Sequence, residues 1–301
     1  MNHLRSQTVR ECMEILIVCP SLSELAPGED GWQVFWDVRC IEVGEFRSTG
    51  QVRALGALRA RGRVVAFAED HCFPEPGWAE ALLEAHRRGC AAVGATLTNA
   101  NPGSLLSWAD LFLNFGPCVM KQSGGVSRFI PWHNSSYAKA ALDEYGDELA
   151  QMLEVEGILH IDQELRGRAL FLCAQAITHH VNISRFSSFL RGHFWGSRMF
   201  WAALVRKQQW RLWKRLVLAI LSPGLAIIRF GRAVREMRRT GTIRSLSPGV
   251  LPPVCAGVVA ISLGALSGAL FGAGNAVTHR LSVEFYRDRH LREEDRNLLS
   301  A

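Results

Sequence analysis

Apolar residues form short unbroken runs and helical spacings over the first half of the chain, and long uncharged stretches toward its end. Residues 14–19 (EILIVC), closed by Pro20 and Ser21, and residues 63–68 (RVVAFA), closed by Glu69 and Asp70, each predict a buried strand of the parallel type. Between them, residues 47–62 set Val52, Leu55 and Leu58 at helical spacing and stop on Gly62, giving a β-α-β rhythm. A second helix over 76–89 places Trp78, Ala81, Leu82 and Ala85 on one face, ends on Gly89 and feeds a strand at 90–97. These elements predict the α/β class, an open, mostly parallel sheet with flanking helices and a ligand site beyond the carboxyl ends of its strands. Residues 98–133 are rich in Gly, Asn, Ser and Pro, and 121–129 (KQSGGVSRF) read as an irregular, mobile loop at the active site. A helix is expected from Asn134 and Ser135 through Ala141. An acidic helical stretch, 143–157, then leads to His160, Asp162 and Glu164, and a last strand at 170–180 completes a domain over 1–185.

From Phe186 the pattern changes. Residues 186–244 mix aromatics with cations, Trp195, Trp201, Trp210 and Trp213 among them, and read as a basic amphipathic connector whose run 216–228 is interfacial or re-entrant. Residues 245–278 carry no charged side chain, and 254–274 meet the roughly 20 residues needed to cross a bilayer, so a transmembrane helix is expected there. Gly264, Gly268 and Gly272 form a small-residue stripe suited to a partner helix. A charged tail, 279–301, follows.

Charge sharpens this division. Residues 1–190 hold 16 Lys/Arg against 22 Asp/Glu, whereas 206–244 hold eleven Lys/Arg against Glu236 alone, so the net +6 belongs to one stretch. Because those cations adjoin apolar runs and tryptophans, a membrane surface fits them and a nucleic-acid partner is excluded. The basic run 229–244 marks its flank, and with it the first domain, as the cytoplasmic side of a cell membrane. The eight cysteines are dispersed with no C-x-x-C pair, consistent with a reducing compartment.

The candidate chemistry lies in AFAEDHCFPEPGW (66–78). It sets Glu69, Asp70 and His71 directly after a hydrophobic strand, where an open α/β sheet binds its ligand. Carboxylate and imidazole groups suit Mg²⁺ or Mn²⁺, which neutralises a diphosphate leaving group; acidic residues approaching a helix N-terminus are the structural alternative.

With its neighbours, this segment resembles the family 2 glycosyltransferases, an inverting, nucleotide-sugar-dependent class of the GT-A fold. The resemblance runs in order through an Arg-containing helix (Arg53 and Gly56), the strand VVAF (64–67), the D-x-D-like Glu69-Asp70-His71, and Pro74-Glu75-Pro76-Gly77-Trp78. It continues through PWHNSSYAKAAL (131–142), IDQEL (161–165), similar to an E-D-x-E-L motif, and SSFLRGHFWGSR (187–198). The resemblance implies that Glu69 and His71 hold Mn²⁺ or Mg²⁺, with His71 standing where the family has an acid. Asp70, Arg53 and Asn134 would contact the donor nucleotide sugar. Asp162 would be the general base that takes the acceptor proton, with Glu164 its rival. Tyr137 would be a further sugar or acceptor contact, and one of His179 and His180 would complete the metal shell. The acceptor class would be a lipid carrier or nascent cell-envelope polysaccharide. Family members open with a strand ending in a Pro-x-x-Asn type turn that holds the nucleobase; this chain starts beyond it, so an unpaired position in the sheet is expected. The alternative is a catalytically inactive, membrane-anchored relative that binds a partner through Gly264, Gly268 and Gly272.

Overall fold

A computed structural model describes the chain except for residues 26–30, 121–122, 247 and 300–301. It divides into two compact units, Met1–Leu97 with Met120–His179, and Thr98–Val119 with His180–Ala301. The second unit thus takes residues that the sequence assigned to the first domain, because the expected loop after residue 98 contains a helix that packs among the C-terminal helices.

In the first unit, α1 (Asn2–Arg5) precedes β1 (Glu14–Cys19), and β2 (Asp37–Glu42) pairs with β1 in parallel from Glu14↔Asp37 to Cys19↔Glu42. These two strands form a sheet of their own. The main sheet runs β3 (Val64–Ala66), β7 (Ser135–Ala138), β5 (Ala92–Asn99), β8 (Leu170–His180), β4 (Cys72–Pro74), and β6 (Gly125–Ser127) adds to β8. β7 lies antiparallel between β3 and β5, which therefore point the same way.

β1 and β8 occupy the expected ranges. Two other expectations are corrected. Residues 135–138, expected to be helical, are β7, because pairing on both sides outweighs the cap-like Asn134-Ser135 signal. Residues 125–127, expected to be irregular, pair with β8 from Gly125↔Leu172 to Ser127↔Leu170.

The helix α2 (Thr49–Arg59) is capped by Ser48, which accepts from the Gln51 N–H. On one face of the sheet, α3 (Trp78–Arg87) buries Trp78, Leu82 and Ala85 against Val93, Ala95, Cys173 and Ala176. Gln7 fixes the start of α3: its side-chain carbonyl accepts from the Ala79 N–H at 2.9 Å, and its amide donates to the Glu75 carbonyl at 2.8 Å.

The second unit contains α4 (Leu105–Phe115). After α5 (Lys139–Asp143), α6 (Leu149–Glu154) and α7 (Glu156–Leu165) of the first unit, it continues with α8 (Phe186–Lys207), α9 (Leu212–Arg239), α10 (Thr242–Ser245), α11 (Leu251–Phe271), α12 (Ala276–Phe285) and α13 (Glu293–Arg296). A buried polar cluster anchors α4 to the segment before α8: Asn101 and Asn182 exchange two hydrogen bonds, and Asp110 accepts from the Ile183 N–H and faces His193 Nε2 at 3.1 Å. Pro223 and Gly224 do not break α9, so the re-entrant bend expected at 216–228 is replaced by one continuous helix.

α11 covers most of the expected membrane segment, yet half of its most apolar window is buried within the unit. A Cβ at Gly264 would lie 2.2 Å from the Phe194 carbonyl oxygen, and one at Gly268 would lie 2.2 Å from that of Arg198. Gly272 ends the helix at φ 77°. At Gly264 and Gly268 the stripe expected to receive a partner helix is therefore occupied by the chain's own α8, while a Cβ at Gly272 would meet nothing within 4 Å.

Candidate functional site

The site in the first unit begins at the turn between β3 and β4. The Cys72 N–H donates to the Glu69 carbonyl at 3.1 Å, closing a turn that carries Glu69, Asp70 and His71. His71 is buried; its Nδ1 lies 2.8 Å from the exposed Asp70 carboxylate, and its Nε2 lies 3.5 Å from Glu69 Oε2. Asn134 donates to Glu69 Oε2 at 2.7 Å, and the Cys72 thiol lies 3.5 Å from the same oxygen.

This donor set fits a divalent cation. A carboxylate on Nδ1 orients the imidazole so that Nε2 carries the ligating lone pair, and Glu69 supplies an oxygen within reach of it. Asp70, an expected donor contact, is exposed and bonds His71, and Asn134, another, holds Glu69.

Asn134 sits where it does because of a close passage. A Cβ at Gly94 would come within 2.5 Å of Ile130 Cβ and Pro131 Cδ, so only glycine lets residues 130–131 cross β5. The chain then turns sharply: Ser135 Oγ donates to the Pro131 carbonyl at 2.5 Å, and His133 adopts φ 68°, a left-handed conformation that costs a non-glycine residue energy.

That strained His133 points at a second carboxylate. Its backbone N–H donates to Glu156 Oε2, and its Nδ1 lies 3.1 Å from the same oxygen. Consecutive residues, His133 and Asn134, thus grip Glu156 and Glu69. Glu156 opens α7, is wholly buried, and lies beside the Tyr137 hydroxyl. Burial pushes this carboxyl up, but His133, Arg53 and His160 outweigh it and hold it at about 2. His160 is itself lowered to about 4, chiefly by burial, and its Nε2 bonds the Tyr137 hydroxyl at 2.7 Å. Tyr137 is raised well above its ordinary value by burial and by Glu156.

Arg53 is directed here by the packing of α2. Glu154, at the end of α6, accepts from the Gly50 N–H at 3.0 Å and from the Ser48 and Thr49 hydroxyls, and a Cβ at Gly50 would strike the Ala150 carbonyl oxygen at 2.1 Å. These contacts clamp α2 onto α6. Arg53, an expected donor contact, contributes its positive charge to the Glu156 cluster. The other side of α2 borders a cavity of about 600 Å³ lined by Glu45, Phe46, Arg47, Gln51, Val52 and Leu55.

Asp162 and Glu164 are not brought into this set. Asp162 lies six residues along α7 from Glu156, roughly 120° away around the axis. It accepts from Arg166 Nε at 2.7 Å and from the Tyr145 hydroxyl at 2.9 Å, with the Arg166 guanidinium 4.7 Å from the Tyr145 ring centroid. Glu164 is exposed. Of the two late histidines, His179 bonds Glu75 at 3.1 Å in the first unit, and His180 bonds Asn182 at 2.8 Å in the second. The residues that sequence reasoning missed are Glu156, His133 and His160. Their signal was a carboxylate inside the apolar run Val155–Leu159.

No family model matches the sequence, and neither does any curated protein. Among solved structures, the chain is similar to S. aureus TarS residues 1–349 in complex with UDP, at 13% identity and a TM-score of 0.42, covering 88% of this chain and 85% of that one. At this level of likeness, function has to be argued from the site itself.

Proposed function

We propose that the chain is a membrane-associated, inverting glycosyltransferase that moves a sugar from a nucleoside-diphosphate donor to a lipid-linked or glycan acceptor. One observation carries the reading: the turn after β3 brings Glu69 and an Asp70-oriented His71 together, and the His133-Asn134 dipeptide ties that turn to an ionised, buried Glu156. This turn is where the resemblance to family 2 places its D-x-D-like motif.

In this reading His71 Nε2 and Glu69 would hold Mn²⁺ in preference to Mg²⁺, since an imidazole suits the softer ion. The ion would supply charge neutralisation for the departing diphosphate. The open cavity beside α2, with Glu45, Arg47 and Gln51 among apolar side chains on its wall, is large enough for part of a nucleotide.

The general base is Glu156 in preference to Asp162. Its carboxylate is ionised and lies beside the Tyr137 hydroxyl, whereas Arg166 and Tyr145 both bond Oδ2 of Asp162; an acceptor hydroxyl reaches Glu156 when the side chains that bury it move. The hydroxyl oxygen forms its bond to the anomeric carbon as the bond to the diphosphate breaks on the opposite face. The proton passes to Glu156, and the electron pair leaves with the nucleoside diphosphate.

The complete burial of Glu156 favours a second reading, a relative that binds the donor without turning it over. Thermal shift of the full chain with UDP, GDP and dTDP, each with and without Mn²⁺, tests what both readings share. One nucleotide should raise the midpoint, and more so with the metal. The absence of any shift would remove the donor site from both.

A further inference from the structure

We propose that α9 lies along an anionic bilayer surface as an in-plane helix and that α11 does not cross the bilayer. The proposal rests on the membrane part of the reading above and is independent of its chemistry.

Leu212, Leu216, Ile220, Ile227 and Ile228 of α9 are 65, 48, 77, 75 and 51% exposed. At 100° per residue they fall within half of the helix circumference. The opposite side is packed: Leu218 and Leu225 meet Val205, Ala269, Trp201 and Trp210 in a cluster of the second unit. An apolar face of this extent on a helix otherwise held by protein marks an interaction site.

Charge identifies the occupant. Arg235 and Arg238 stand seven and eleven residues beyond Ile228 and Ile227, so they continue the same face, and both are exposed. The helix has one acid, Glu236, which is paired with Arg239 at 2.6 Å and more loosely with Arg235 at 3.8 Å. Apolar side chains followed by cations on one side of one helix suit acyl chains beneath anionic headgroups, with the arginines reaching the phosphates.

Length and packing argue against crossing. α9 is long and apolar enough by length and composition to cross, but its uncharged stretch 216–228, between Arg215 and Arg229, spans about 20 Å, short of a hydrocarbon core of about 30 Å. The exposed residues of α11 are Pro252, Cys255, Val259 and Leu263 along one side and Phe271 at its end. Its other sides meet α4 and α8: a Cβ at Gly257 would strike Leu113 and Phe189, Ser197 donates to the Ile261 carbonyl at 2.7 Å, and Arg198 donates to the Gly272 carbonyl at 2.9 Å. To cross, α11 would have to take Arg198 and the Asp110–His193 pair of the helices packed on it into hydrocarbon with it.

Two measurements test the proposal on the full chain. In flotation with phosphatidylcholine vesicles, with or without phosphatidylglycerol, the protein should float with the anionic vesicles and be released by salt. Arg235→Gln should lower partition about fivefold, and Ile220→Glu with Ile227→Glu more than tenfold, with the circular dichroism spectrum unchanged. In sealed membrane vesicles that expose Cys12, an impermeant maleimide should label Ser245→Cys and Asn297→Cys as readily as Cys12. Protection of either position means that a helix crosses and overturns the proposal. Equal flotation with neutral vesicles, or none with either, overturns the anionic surface as occupant. Nucleotide binding, read in the same preparation, reports separately on the chemical reading.

Discussion

Acidification between pH 7 and pH 5 should loosen the first unit through His160. The imidazole is held at about 4, chiefly by burial, against its ordinary 6.5, and it faces Glu156, His133 and the Tyr137 hydroxyl. In this window the unfolded chain binds the proton and the folded one does not, so stability falls as pH falls. The loss is about 2 kcal/mol by pH 5 and about 3 kcal/mol by pH 4, and it levels off below that as the folded imidazole also takes up its proton. For a domain of this size, 2 kcal/mol corresponds to a fall of about 4–8 °C in melting temperature. Urea unfolding followed by tryptophan fluorescence at pH 7, 6 and 5 measures it directly. His160→Gln retains a partner for Tyr137 but does not titrate, so its stability should be lower at pH 7 yet flatter with pH. Burial also lowers His86, which leaves a smaller residual slope in the variant. Equal slopes for wild type and variant would refute the reasoning. Glu156 acts in the next window, because a carboxyl held at about 2 against 4.5 contributes stability that is present above pH 4.5 and lost as pH falls toward 2.

The remaining predictions concern the site and the helix contact. Glu156→Gln should lower nucleoside-diphosphate release by roughly a hundredfold or more, the scale of a lost general base, while Asp162→Asn should cost only a few-fold; steady-state rates decide between them. Asp70→Asn should weaken Mn²⁺ binding by about 10- to 100-fold, as expected for a group that orients a metal-binding histidine, and calorimetric titration with Mn²⁺ checks this. Gly264→Ala should lower the melting temperature of the full chain, because its methyl would meet the Phe194 carbonyl oxygen; overpacking of this kind costs about 1–3 kcal/mol. An unchanged melting temperature would return the glycine stripe to an external partner.

The strands β1 and β8 were legible because each is an apolar run closed by a clear stop signal, and α3 because Trp78, Leu82 and Ala85 repeat at helical spacing. β7 was not, since Ser-Ser-Tyr-Ala has no strand pattern and extends only because β3 and β5 flank it. β2 escaped notice for a related reason: its pairing with β1 defines it more than its composition does. At the site, Glu69 and His71 could be found because their position follows directly from the strand before them. Glu156 depends on three distant approaches: α2 carrying Arg53, the turn carrying His133, and the clamp of Glu154 on α2. The glycine stripe was read correctly as a close-packing surface, but spacing alone does not say whether the approaching helix belongs to the same chain.

The most direct test of sugar transfer is nucleoside-diphosphate release by membranes containing the full chain, across UDP-, GDP- and dTDP-sugars with Mn²⁺, beside the Glu156→Gln and His71→Ala variants. The account predicts release from one donor class, lost in Glu156→Gln and independent of added Mn²⁺ in His71→Ala. Release that persists in Glu156→Gln, or none from any donor while nucleotide binding is intact, would contradict it.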